Sequence, residues 1–164
     1  MTELINLAFS RFVDEIHRYD GVLLEIGGDE LFVLFGDEDR SKHVWRAAKA
    51  ALAISHAAIA LKEELSSASP PLMMNIGINS GIASVGLHSV EAASGSRWRY
   101  GASGTVVNVA ARVRELARDG NILMSADSVA RISDDFVLED IGEHSLKNVM
   151  RPIRIYRLCA ERSS

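Results

Sequence analysis

Residues 25–37 read EIGGDELFVLFGD, and the way this stretch folds decides the architecture around it. Residues 22–26 read as a strand, Gly27-Gly28-Asp29 as a tight turn, and residues 30–35 as a second strand. The product is a hairpin with an aspartate at its tip. A Gly-rich tip leaves the backbone exposed and lets a carboxylate reach a divalent ion. Mg²⁺ takes one or two carboxylates and completes its shell with triphosphate oxygens and water. Gly-Asp also serves simply to turn a chain, and on these residues alone the two readings stand level.

Working outward, residues 3–18 place Leu4, Leu7, Ala8, Phe12 and Ile16 on one helical stripe that Asp20-Gly21 ends. Asp37, Glu38 and Asp39 precede Ser41, an expected N-cap where the helix dipole favours negative charge. The helix that follows is predicted to run to about Leu65. Val44, Ala48, Ala51, Leu52 and Ile59 are expected on one face, with Lys42, Lys49, His56 and Glu63 opposite, which makes His56 a surface residue. Residues 66–71 read as a loop. Residues 73–78 and 82–87 read as a second hairpin around Asn79-Ser80-Gly81. Residues 88–104 form a polar, Ser/Gly-rich excursion carrying Arg97, Trp98, Arg99 and Tyr100. Residues 105–118 are helical and closed by Gly120-Asn121. A strand at 122–124, a short helix after Ser125, and strands near Phe136 and at 153–158 finish the chain. This order predicts one α+β domain over residues 1–164, with a mostly antiparallel sheet and helices on one face.

The composition narrows the function classes. A chain of 164 residues with 48% apolar and 24% charged residues builds one globular core. A net charge of -4 argues against a surface made to neutralise nucleic-acid phosphates. No Cys/His cluster has the spacing of structural zinc. The lone Cys159 makes no internal disulfide, which fits a reducing cytosol, and reads as a packed or idle thiol. The apolar stretch at 47–61 is interrupted by Lys49 and His56 and is too short to span a bilayer. The start, MTELINLAF, lacks the marks of a signal peptide. The expectation is a cytoplasmic domain that itself makes no membrane contact, any anchor lying outside this chain.

A second candidate site opens at Gly104-Thr105-Val106-Val107-Asn108, where free amides and the helix dipole suit an anion. Asn108 and Arg112 are four apart and project from one face, a neutral donor beside a planar cation able to fork onto phosphate. Taken alone, the pair reads as surface decoration, since exposed helical arginines are common. Taken with the hairpin, IGINSGIASVG (76–86), RWRYGASGTVVNVAARV (97–113) and LKNVMRPIRIYRL (146–158), it resembles class III nucleotide cyclases in order and spacing, from Leu4 to the end. Asn108-Val-Ala-Ala-Arg112 is the most specific element. Gly27-Gly28-Asp29-Glu30 also resembles the signature of diguanylate cyclases. That family lacks the N-x-x-x-R helix and the terminal L-K…P…Y segment, so the match is read as falling inside a class III hairpin.

The resemblance implies a ferredoxin-like βαββαβ sheet and a homodimer with active sites at the interface. It implies two Mg²⁺ or Mn²⁺ ions that polarise the α-phosphate and activate the ribose 3′-oxygen, which displaces pyrophosphate. By position, Asp29 corresponds to a metal aspartate, Asn108 to the residue orienting the ribose, and Arg112 to the one stabilising the pentavalent phosphorus. Lys147 corresponds to a triphosphate lysine, and residues 88–104 to an arm that helps the dimer form. Glu25 and Thr105 fall at the base-selecting positions, where adenylate members carry Lys and Asp and guanylate members Glu and Cys. Glu25 can accept hydrogen bonds from guanine N1–H and N2–H₂, whereas the Thr105 hydroxyl both donates and accepts. The base, ATP or GTP, stays open. The family's opening strand, F-x-D-x-x-G-F-T, does not occur in the chain. Its absence is expected to remove the first metal aspartate and to leave an open slot of unpaired backbone in the sheet. Two functions are compatible with these residues: a cyclase producing 3′,5′-cyclic nucleotide and pyrophosphate, or a catalytically impaired module for nucleotide binding or regulatory dimerisation.

Overall fold

The computed structural model of the chain describes residues 2–36, 42–65 and 72–163. The acidic run before the Ser41 cap and the loop at 66–71 lie outside the described residues. Helix α1 (Thr2–Arg18) forms because Ala8, Phe12 and Ile16 recur every fourth residue, and all three are buried. It closes through Asp20 in the left-handed region (φ 59°), and Gly21 N–H donates to the Ile16 carbonyl at 2.9 Å. The chain then makes the expected hairpin from β1 (Val22–Gly27) and β2 (Glu30–Leu34), paired from Val22↔Leu34 to Gly27↔Glu30.

Helix α2 (Lys42–Glu64) buries Val44, Ala48, Ala51, Ile54, Ala58 and Leu61 along one stripe. Ile59, expected on that face, is 54% exposed because it falls one position beyond Ala58 on the track. His56 is exposed, as expected. At 23 residues α2 is long and apolar enough to cross a bilayer, yet half of its apolar window is buried in the fold, as in a core helix.

The second hairpin does not form. Strand β3 (Ile76–Ile78) instead pairs in parallel with β6 (Ile122–Ser125), while β4 (Ser84–Ala92) pairs along its whole length with β5 (Gly95–Ser103). Packing explains the difference. Gly77 lies so close to α3 (Thr105–Leu116) that a Cβ there would come within 2.6 Å of Arg114 Cα and 2.7 Å of the Ala110 carbonyl oxygen. β3 therefore stays in the sheet against the helix, and the turn at 79–81 carries the chain out into the ribbon. The polar excursion at 88–104 is thus most of an exposed two-stranded arm, with Trp98 68% exposed.

Helix α4 (Ala126–Val129), β7 (Phe136–His144) and β8 (Ile153–Glu161) complete a four-stranded sheet ordered β3-β6-β8-β7. The architecture is α+β of the ferredoxin-like type, as expected. β6 is buried on both faces: Ile122 and Met124 pack with Val44, Ala48 and Phe136, whereas Leu123 packs with Val109, Val113 and Ile155. The helices do not all lie on one face, the arrangement expected from the sequence: α2, with α1 packed on it, covers one face and α3 closes the other, because β6 is apolar on both sides. Among the described residues β2 and β3 each keep one edge without a strand partner. A groove of about 590 Å³ runs between those edges, lined by residues 30–35 and 73–81 and walled by α2 and α3. This is the open slot anticipated for a chain without the opening strand.

Candidate active site

The hairpin tip is a two-residue turn in which Gly28 supplies the positive φ (63°) and Asp29 follows, exposed. Two neighbouring carboxylates are engaged: Glu25 pairs with Arg99 of β5, and Glu30 pairs with Arg114 of α3 at 2.7 Å. The hairpin is therefore strapped to the arm on one side and to α3 on the other. Among the described residues Asp29 makes no ion pair.

Helix α3 is a three-sided element. Val109 and Val113 face the core, Val106, Ala110 and Arg114 face the groove, and Thr105, Asn108 and Glu115 are exposed, with Arg112 half-buried beside them. Its N-cap is Gly104 (φ 126°), with no side-chain cap. The position of the helix is fixed by a buried polar chain. Asn79 Nδ2 donates to the Val106 carbonyl at 2.9 Å, and the Ser125 hydroxyl donates to Asn79 Oδ1 at 2.6 Å. Ser125 in turn lies 3.0 Å from Ser128 Oγ, and both serines are buried. Next to this chain, His43 Nε2 of α2 and Ser80 Oγ are 2.5 Å apart. These bonds tie β3, β6 and the first turn of α3 together.

Arg112 donates from one nitrogen to both oxygens of Glu115, at 2.8 and 2.9 Å. That hydrogen bond holds the Glu115 carboxyl below its ordinary range, and the charges of Arg112, Arg114 and Lys147 add to the shift. Only Arg112 bonds the Glu115 carboxylate; Lys147, far off in sequence, acts on it through its charge alone. Thr105 and Asn108 sit on the same helix. Asp29 belongs to the groove between β2 and β3, whose lining includes neither Asn108 nor Arg112. Glu25 lines a smaller cavity against the arm. Sequence reading missed Glu115, although its i+3 spacing from Arg112 was a signal, and missed the bonds of Asn79 inside the quoted IGINSG. The pairing of Glu25 with Arg99 had no local signal.

Among the described residues no three His, Cys, Asp or Glu side chains group together as a metal site. Asp29 alone fits one carboxylate position of a Mg²⁺ or Mn²⁺ ion, and the residues present do not fit a pair of ions.

An acidic hairpin tip and a helix presenting Asn and Arg, set on this sheet, define a nucleotide-cyclase type of catalytic domain. The sequence profile for the adenylate and guanylate cyclase catalytic domain matches residues 1–159, and the chain belongs to that family. An uncharacterised protein of Mycobacterium tuberculosis, Rv1318c, is 30% identical over 159 residues, covering 94% of this chain. The chain spans only 28% of the length of that relative. The crystal structure of the adenylyl cyclase CyaB from P. aeruginosa is similar with a TM-score of 0.89 at 27% identity, over 98% of this chain and 83% of that one. The guanylyl cyclase Cya2, at 24% identity and a TM-score of 0.86, shares the fold over 98% of this chain and 81% of its own.

Proposed function

We propose that residues 1–164 form one catalytic domain that converts ATP or GTP to the 3′,5′-cyclic monophosphate and pyrophosphate. The observation that carries this reading is the presentation of Asn108 and Arg112 from one helix whose position is fixed by backbone contact and a buried relay. In the reaction the ribose 3′-oxygen forms a bond to the α-phosphorus, the bond to the β-phosphate bridging oxygen breaks, and the 3′-hydroxyl proton passes to solvent. Asn108 orients the ribose. Arg112 leaves Glu115 for the charge that builds on the pentavalent phosphorus, and Lys147 holds the triphosphate. Glu25 and Thr105 contact the base. Asp29 would hold a divalent ion through one carboxylate, and such an ion would supply Lewis-acid polarisation of the phosphate.

Asp29 lines the groove whereas Asn108 and Arg112 do not, and the working unit in this reading is a homodimer in which each site draws on both copies. Exposed, unpaired Cys159 suits a cytoplasmic setting. A single carboxylate at the hairpin favours a second reading, an impaired module that binds nucleotide and dimerises. The deciding experiment incubates the chain with Mn²⁺ and either ATP or GTP and quantifies cyclic nucleotide and pyrophosphate. Arg112→Ala is expected to lower turnover about 10²–10³-fold, the usual loss for a transition-state charge contact. Binding of either nucleotide without product establishes the second reading.

A further inference from the structure

Asn108, Arg112 and Glu115 follow one another at helical spacing on α3, so they form one stripe with Arg112 in the middle. Among the described residues Arg112 makes no bond to Asn108, one turn before it. Its Nη1 donates instead to both Glu115 oxygens, one turn after it, at 2.8 and 2.9 Å. The backbone beneath that carboxylate is held as well, because Arg118 Nη1 donates to the Glu115 carbonyl at 2.6 Å. Glu115 also lies in the positive field of Arg114 and Lys147, and with Arg112 they keep its carboxyl ionised below the ordinary range. An anion bonded to a guanidinium and surrounded by further cations occupies the kind of place that a phosphate takes.

We propose that Glu115 is a brake on the site: a built-in anion that occupies Arg112 in the resting domain and competes with phosphate for it. The proposal rests on the reading of Arg112 as the phosphorus contact and adds Glu115 as a positioning residue that acts through it. The guanidinium must give up its hydrogen bonds to Glu115 before it reaches a phosphate. That cost falls on the path from the free domain to the transition state, so it lowers kcat/KM. Both side chains are partly exposed, which keeps the cost small, about threefold to fivefold in an equilibrium constant. An ion pair that served the helix alone would have a different signature. Cutting it would weaken α3 slightly and would not raise affinity for any anion.

The test titrates inorganic tripolyphosphate, without divalent ions, into the whole chain, so no turnover is required. Wild type is compared with Glu115→Gln, Arg112→Ala and the double variant. Glu115→Gln is expected to tighten binding about threefold to fivefold, the scale of one partly exposed ion pair. Arg112→Ala alone is expected to change binding little, because Glu115 already occupies the guanidinium, and the double variant to lose the gain. With Mn²⁺ and the nucleotide that is turned over, Glu115→Gln is expected to raise kcat/KM by a similar factor, a gain that misfolding does not produce. Equal tightening by Glu115→Gln with and without Arg112 would assign the effect to net charge and overturn the proposal. If Arg112→Ala lowers turnover while Glu115→Gln changes neither binding nor kcat/KM, the proposal is overturned and the reading of Arg112 stands. If Arg112→Ala changes neither turnover nor binding, even in the Glu115→Gln background, the reading of Arg112 fails, and the proposal with it.

Discussion

Helix α3 and the β1–β2 hairpin carry the two halves of the candidate site, and they are held in opposite ways. α3 is docked by backbone: Gly77 lets it touch β3 directly, Asn79 grips its first turn, and Val109 and Val113 are buried beneath it. The hairpin is anchored on its apolar side, where Leu31 and Val33 pack against the cluster of Phe12 and Ile54, while its tip and outer edge are exposed. Its links to the arm and to α3 are surface ion pairs. The difference teaches where precision resides. Asn108 and Arg112, assigned to the ribose and the phosphorus, ride on the rigid element, and Asp29 and Glu25, assigned to metal and base, ride on the adaptable one.

Two glycines probe that contrast most sharply. Gly77→Ala forces a methyl group into the backbone of α3 and is expected to cost about 3 kcal/mol of unfolding free energy in urea titration. Asn79→Ala comes next: it removes one of the two partners of the buried Ser125 hydroxyl and strips the Val106 carbonyl of a donor, for an expected loss of about 2 kcal/mol. Hydrogen exchange at residues 105–112 would rise in that variant, and unchanged exchange there would show that the relay does not position the helix. Gly28→Ala meets no atom within 4 Å and pays only for a side chain at positive φ, about 1 kcal/mol, so a larger loss would break the contrast.

The smallest effect is the response to acid. Arg11 holds Glu64, Arg112 holds Glu115, and the Gly142 amide with Arg154 holds Asp140 below the ordinary carboxylate range. The unfolded chain therefore binds more protons near pH 4, about the ordinary carboxylate value, and the stabilisation is full above that pH and lost as pH falls through the lowered values. Tm is expected to fall gently below pH 4 or so, and a double change Glu64→Gln/Asp140→Asn to flatten that limb.

Local patterns made much of this legible. Phe12 and Ile16 announced α1, the Gly-Asp pair announced the hairpin, and the spacing of Asn108 and Arg112 announced the exposed face of α3. What escaped depended on distant partners. β3 finds its neighbour far along the chain in Ile122–Ser125, and a parallel pairing leaves no trace in local alternation, so the stretch after Gly81 was read as its hairpin mate. The pairing of Arg99 with Glu25 and of Arg114 with Glu30 likewise requires the finished fold. Ile59 shows a finer failure, since one step around a helix separates a core position from a solvent one.

The groove between β2 and β3 also governs how this chain behaves in a concentrated solution of its own copies. Among the described residues, strand edges without a strand partner flank it on both sides, and an extended segment of any loosened neighbour finds donors and acceptors there. Self-association thus needs only the fraying of a strand, not global unfolding. On warming a concentrated sample, light scattering will rise before the helical signal falls, and dilution will separate the two.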